Sequence, residues 1–269
     1  MIKLELLNRN PLSLEPLIAN KMGYFKNNNV DVQIGMVTSF PPFDMSRVTA
    51  NVGDITRIFE RLATGEKLVV TSDLTRTMKL ILKTDVDTSK TLKILAATDQ
   101  SLGIYTEYYC EQNGIDFEYY IPTDRSFDAR RKLITDGIVD GACMIDPFLI
   151  DYVGNGYDIA YEGKDHEHNY TCWAFHKQYY DQNPEAVAGF HKSLNQASTY
   201  WNNLSGEQKL ALAQELLLVP TDWEQFYKQL TFNQDKPYTR AALETSYAWK
   251  QTKTPGLEGL ELEDVLITW

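Results

Sequence analysis

The chain has 269 residues, 43% of them hydrophobic and 23% charged, an ordinary soluble composition with room for one large domain or two small ones. Its 26 basic and 37 acidic residues leave a formal charge of -11, and no basic run exceeds the pair Arg130-Arg131, so nucleic acid is excluded as a main partner. No apolar run approaches the ~18–20 residues that span a bilayer, and three cysteines (Cys110, Cys143, Cys172) without a CxxC argue against a disulfide framework and a zinc ribbon.

Ile2, Leu4 and Leu6 alternate with polar residues and predict a half-buried strand. A helix is expected from Pro11 to Met22, with Leu14, Leu17 and Ile18 on one face and Gly23 as its stop. A strand over Val30–Val37 follows, then a short helix within Asp44–Asn51, a strand over Val52–Ile55 and a helix over Arg57–Ala63. Leu68–Thr71 and Met78–Leu82 read as two more strands. The β-α-β alternation implies parallel pairing and an α/β class.

The polar run from Lys83 to Lys90 interrupts the alternation, which then restarts. Strands are expected over Leu92–Ala97, Phe117–Ile121, Val139–Ile145 and Tyr157–Tyr161. Between them lie helices from Ser101 to Asn113 and from Ser126 to Asp136, closed by Gly114 and Gly137. After the polar loop Glu162–Asn169 comes a strand-like run, Tyr170–Phe175, and then a helical tail. Asn183-Pro184-Glu185 is a helix start, with Val187, Phe190, Leu194, Ala197 and Trp201 on one face. Ser205 to Gln208 and Thr221 to Glu224 both match capping boxes.

Two α/β lobes are therefore expected: 1–83 with 172–269, and 91–162, joined by hinge segments 84–90 and 163–171. Ligand sites in such folds lie in the cleft between lobes, beyond the carboxyl ends of the strands.

Several stretches resemble the solute-binding proteins of ABC importers, in the group of sulfonate, taurine and nitrate receptors that also holds the thiamine-pyrimidine receptors and synthases. These are Pro16-Leu-Ile-Ala-Asn-Lys-Met-Gly-Tyr-Phe-Lys26 with Val30-Asp-Val32, then Val52-Gly-Asp-Ile55, Ile138-Val-Asp-Gly-Ala142 with Asp146-Pro-Phe148, and Asn183-Pro-Glu-Ala-Val187. They occur in order over about 20–200. The resemblance implies the type II periplasmic-binding-protein fold, a small-molecule ligand held by hinge closure, an ABC permease as partner and a monomer without enzymatic activity. It says nothing of which ligand. The start MIKLELLNRN has no basic or apolar leader, so the expected location is extracytoplasmic if a signal was removed, and cytoplasmic otherwise.

The resemblance turns the loop Asn8-Arg9-Asn10 toward the ligand, where amides and a guanidinium form donor forks; a helix-capping loop is the other reading. Ser39 and Phe40 follow the second strand, and Phe40 either stacks on a planar ligand or faces the core. Thr56 and Arg57 open a helix and suit an anion, or form an ordinary surface turn. Thr98, Gln100 and Ser101 sit where a strand meets a helix N-terminus, although Asp99 beside them disfavours a strong anion; Ser101 is otherwise a plain N-cap. Asp146 is either an acceptor for a ligand amine or a helix cap. Tyr170 and Trp173 offer rings with one polar handle each, or core packing.

His166, His168 and Cys172 lie close in sequence, but no metal-binding spacing such as HExxH is present, and no metal or cofactor is expected. A pyridoxal-dependent thiamine-pyrimidine synthase is the rival reading, as is a sensor without a transporter. Against the synthase, a single Cys stands in Tyr170-Thr-Cys-Trp173 where that family carries a cysteine run. Thr56-Arg57 also stands where a Schiff-base lysine is needed.

Overall fold

The computed structural model describes residues 1–38, 46–74, 77–124, 126–267 and 269, and of Phe127 only the backbone. In chain order, β1 (Ile2–Leu7) leads through a 3-10 turn at Pro11–Ser13 into α1 (Leu14–Lys21) and α2 (Tyr24–Asn27). Then come β2 (Val32–Val37), β3 (Ala50–Asp54), α3 (Ile55–Ala63) and β4 (Leu68–Asp73). The middle of the chain holds β5 (Met78–Lys83), β6 (Leu92–Leu95), α4 (Ser101–Gln112), β7 (Phe117–Tyr120), α5 (Phe127–Thr135), β8 (Gly141–Ile145) and β9 (Tyr157–Glu162). The last third holds β10 (Thr171–His176), α6 (Lys177–Gln182), α7 (Pro184–Asn202), α8 (Gly206–Leu216), α9 (Glu224–Gln229), β11 (Lys236–Pro237) and α10 (Arg240–Lys253).

These elements form two compact units: Met1–Thr75 with Tyr170–Glu244 and Gly256–Trp269, and Arg76–Asn169 with Thr245–Pro255. The chain passes to the second unit ahead of β5, because β5 is an inner strand of that unit's sheet. The run 84–90, expected as a hinge segment, is instead a loop inside the second unit; Thr84 N–H donates to the Gly156 carbonyl at 3.0 Å. The end of α10 also belongs to the second unit, so the helical tail is shared rather than confined to the first.

In the first unit β1 and β2 pair in parallel, Ile2 opposite Val32 through Leu7 opposite Val37. Its larger sheet has the order β11-β4-β10-β3, and every pairing in it is antiparallel. The expected parallel pairing of β3 with β4 is thus corrected: the returning β10 lies between them. Cys172 to Phe175 are all buried, the apolar run of a strand covered on both faces. In the second unit the order is β7-β6-β8-β5-β9, with β6 parallel to β7 and β8, and β5 antiparallel to β8 and β9.

Local signals read from the sequence appear at their places. Gly23, Gly114 and Gly137 take the left-handed conformation after α1, α4 and α5, at φ 74°, 62° and 66°. Ser205 and Gln208 form the capping box of α8. Three expectations change. Ser46–Thr49 form no helix, since Thr49 N–H donates to the Lys3 carbonyl at 2.9 Å as the chain enters β3; Asp44 and Met45 lie outside the described residues. Thr221–Trp223 make a 3-10 turn with no side-chain cap. Gln100, not Ser101, is the N-cap of α4, and the Ser101 hydroxyl turns inward to Met78 Sδ at 3.7 Å.

Gly141 shows how closely the second sheet is packed. A Cβ there would stand 2.5 Å from Leu82 Cδ2 and 2.7 Å from the Ile81 carbonyl oxygen. Gly141→Ala should lower stability by about 1–3 kcal/mol through overpacking, read as a lower denaturant midpoint. An unchanged midpoint would show that the β5–β8 pairing gives way there.

Candidate functional site

In the first unit the described candidate residues follow β1, open α3, and precede or lie on β10. Parallel β1 and β2 deliver their carboxyl ends together, at Leu7 and Val37, with Asn8 next in the chain; Ser39 and Phe40 lie outside the described residues. Asn8 is fixed through its backbone: its N–H donates to the Val37 carbonyl at 3.0 Å and its carbonyl accepts from Leu218 N–H at 2.9 Å. Its side-chain oxygen is buried without a hydrogen-bond partner among the described residues. Asn10 is a cap, accepting from Leu12 N–H at 3.0 Å, and Arg9 is exposed.

The end of β3 meets the start of β10, with Asp54 opposite Thr171. Asp54 Oδ1 accepts from both the backbone N–H and the hydroxyl of Thr56, at 3.0 and 2.7 Å. Thr56 is fully buried in that role, and Arg57 pairs with Glu60 at 2.9 Å. A carboxylate therefore already occupies the start of α3, which disfavours the anion expected there.

Tyr170 is fully buried and its carbonyl accepts from Ile55 N–H at 2.9 Å, so it packs in the core rather than lining a site. Trp173 is 1% exposed, with the edge of its ring pair on Phe190 at 5.0 Å. Its faces belong to the core, and what remains is the indole Nε1–H, buried without a partner among the described residues. Trp173 thus follows the core-packing reading of its ring, with the indole N–H left over.

In the second unit β6 and β8 are parallel neighbours, so the loop carrying Thr98, Asp99 and Gln100 and the residue Asp146 lie at the same end of the sheet. Thr98 and Gln100 are half-buried, and Ser101 is buried. Lys250, fully buried on α10, donates from Nζ to the Asp99 carbonyl at 2.7 Å and pins this loop. Asp146 N–H donates to the Thr77 carbonyl at 2.6 Å. Its Oδ2 pairs with Lys79 Nζ at 2.9 Å, and Lys79 also stands 3.6 Å from Glu162. Its Oδ1 is buried with no partner among the described residues. Burial pushes the Asp146 carboxyl above its usual range, while the Lys79 ammonium pulls it down.

Lys79 and Lys250 are the residues sequence reasoning missed. Lys79 alternates with Met78 and Leu80 on a buried strand, which gave no sign of a partner. Lys250 continues the buried helix positions Ala242, Leu243 and Ser246 at helical spacing, and that signal was legible. Among the described residues no group of three His, Cys, Asp or Glu side chains is placed to hold a metal. His166 Nδ1 is hydrogen-bonded to the Tyr161 hydroxyl at 2.9 Å, and all three cysteines are buried free thiols. No helix among the described residues is long and apolar enough to cross a membrane.

The chain is similar in structure to the periplasmic aliphatic sulfonate binding protein SsuA from Escherichia coli. The TM-score is 0.77 at 13% identity, over 99% of this chain and 91% of that one. It is similar also to a ligand-binding component of an ABC-type import system from Staphylococcus aureus, solved with zinc bound (TM-score 0.76, 11% identity, 99% and 96% covered). A third is a Candida albicans protein described as exhibiting the generic periplasmic binding protein structural fold (TM-score 0.67, 13% identity, 99% and 96% covered). No protein-family model matches the sequence. No curated protein matches it either. The chain has the periplasmic-binding-protein fold, the α/β architecture implied by its motifs.

Proposed function

We propose that this protein is a solute-binding receptor. It captures one small polar nutrient outside the cytoplasm and delivers it to an ABC permease, without turning it over. The observation that carries this reading is a buried polar atom without a hydrogen-bond partner among the described residues on each of three expected ligand contacts: Asn8 Oδ1 and Trp173 Nε1 in the first unit, and Asp146 Oδ1 in the second. A buried polar atom without a partner costs about 1–3 kcal/mol, and a ligand that supplies the partner recovers that cost. The fold shared with ABC import binding proteins supports the same reading.

The three atoms also narrow the ligand. Within the first unit, the Asn8 amide oxygen takes an N–H or O–H, and the Trp173 indole N–H takes an acceptor. The ligand therefore carries both donors and acceptors. Asp54 at the start of α3 opposes a bare inorganic anion, and so do the half-buried Asp99 and the buried Asp146 of the second unit. An aminopyrimidine of the thiamine type, or an amino-sulfonate, meets these conditions better than nitrate.

A thermal-shift panel of thiamine-pyrimidine analogues, amino-sulfonates, alkyl sulfonates and nitrate tests the proposal. A true ligand at 100 times its dissociation constant should add about 2.7 kcal/mol of stability. Asp146→Asn should weaken an amine-bearing ligand by about 1.5–3 kcal/mol, the worth of a hydrogen bond to a charged group. Trp173→Phe, which keeps a ring and removes the N–H, should weaken it by about 0.5–1.5 kcal/mol. Affinity unchanged in both variants would remove these residues from the site, and product formation by the purified protein would overturn the receptor reading.

A further inference from the structure

Behind Trp173 lies a buried polar chain that the receptor reading does not use. In the pairing of β4 with β10, Trp173 stands opposite Ser72 and Ala174 opposite Val70, so Thr71 is the extra residue of a β-bulge. Bulges re-aim neighbouring side chains, and this one is held at three points. The Thr71 carbonyl accepts from Trp269 Nε1–H at 2.8 Å. The Thr71 hydroxyl lies 3.3 Å from the Trp173 carbonyl and 2.8 Å from His191 Nε2. Trp269 stacks on the His191 ring, with centroids 4.3 Å apart and planes 19° apart.

The hydrogens in this chain can be assigned by counting. The Trp173 carbonyl can only accept, so the arrangement that makes hydrogen bonds of both Thr71 hydroxyl contacts gives the hydroxyl hydrogen to it. His191 Nε2 must then carry a hydrogen and donate it to Thr71. One hydrogen is left for the 2.8 Å contact between His191 Nδ1 and Asp235 Oδ2. It resides either on nitrogen, giving an ion pair, or on oxygen, giving two neutral groups.

Their side chains are 0% and 2% exposed, and two charges in such a place lose several kcal/mol of hydration each. The other hydrogen bond to the Asp235 carboxyl, from the Ser72 hydroxyl, is long at 3.4 Å. Asp73 on β4 and Glu15 on α1 are the titratable groups facing this site, and both are acidic. Burial drives His191 down to about 3, and burial with Asp73 drives Asp235 well above the carboxylate range.

We propose that Asp235 is a neutral carboxylic acid donating its proton to Nδ1 of a neutral His191, and that this uncharged pair holds the Thr71 bulge and so positions Trp173. His191 and Asp235 are positioning residues, not ligand contacts. Any consequence for ligand affinity rests on the receptor reading; the proton assignment does not.

The test uses the full chain at neutral pH and needs no ligand. Nitrogen-15 spectra should show His191 as the neutral tautomer protonated at Nε2. An infrared band of a protonated carboxyl should vanish in Asp235→Asn. That variant, whose amide can still donate to Nδ1, should keep the parent melting temperature, whereas Asp235→Ala should lower it. In Thr71→Val the Trp173 indole N–H resonance, assigned with Trp173→Phe, should shift, while Thr71→Ser should leave it in place. A doubly protonated His191, or Asp235→Asn as damaging as Asp235→Ala, would overturn the proton assignment. An unmoved Trp173 resonance in folded Thr71→Val would overturn the positioning role.

Discussion

Phe190→Ala should lower the unfolding free energy by about 3–5 kcal/mol, the range for deleting a buried aromatic ring. Asn183-Pro184 starts α7, and from there Val187, Phe190, Leu194, Ala197 and Trp201 form a stripe without solvent exposure. Phe190 is the junction of that stripe. Its ring stacks on Phe25 at 5.5 Å and meets Trp173 and Phe175 edge-on at 5.0 and 5.5 Å. Truncation leaves those three rings facing a cavity. Lys192, exposed on the same helix, is the control, and Lys192→Ala should stay within about 0.5 kcal/mol. Urea denaturation of both variants checks the contrast. A loss below about 1 kcal/mol for Phe190→Ala would mean that the cluster closes over the gap.

The stability contributed by the buried carboxyls Glu15 and Asp235 should be greatest under mildly acidic conditions and should fall as the pH rises. Burial, with Asp235 nearby, holds Glu15 well above its ordinary range, against the opposing hydrogen bond from Ser198. Burial, with Asp73 nearby, does the same to Asp235. Their folded-state values lie above the unfolded ones. The stability they contribute is therefore full below the unfolded values, about 4, and is lost as the pH rises toward the folded ones. His191 runs the other way. Burial lowers it to about 3, so its contribution is lost as the pH falls below about 6.5.

Above about pH 4 the unfolded chain has released the protons of Glu15 and Asp235 that the folded chain still holds. Each carboxyl's contribution should then decline by about 1.4 kcal/mol per pH unit until that carboxyl ionises in the fold. Glu15→Gln keeps an acceptor for the Ser198 hydroxyl and removes one titration. Its stability–pH profile should be shallower than the parent's by about 1.4 kcal/mol per unit. Parallel profiles would show that Glu15 is ionised in the fold.

What could be read from the sequence was local or periodic. The apolar face of α7, the capping box of α8 and the glycines after α1, α4 and α5 each depend on residues within a few positions of one another. Ordered motifs over about 20–200 carried the fold class for the same reason, since each is a short strand-to-helix junction. Pairing direction was not legible, because alternation along a strand gives its buried face but not its neighbour or orientation. Only the tertiary structure placed β10 between β3 and β4, and so opened the Thr71 bulge opposite Trp173. Asp146 could be chosen in advance from its place after an apolar strand. Its partner Lys79 could not, because the two are 67 positions apart and meet only through the antiparallel β5–β8 ladder. Trp173 was legible as a ring with a polar handle; its burial, which leaves only the handle, was decided by Phe190 packing against it.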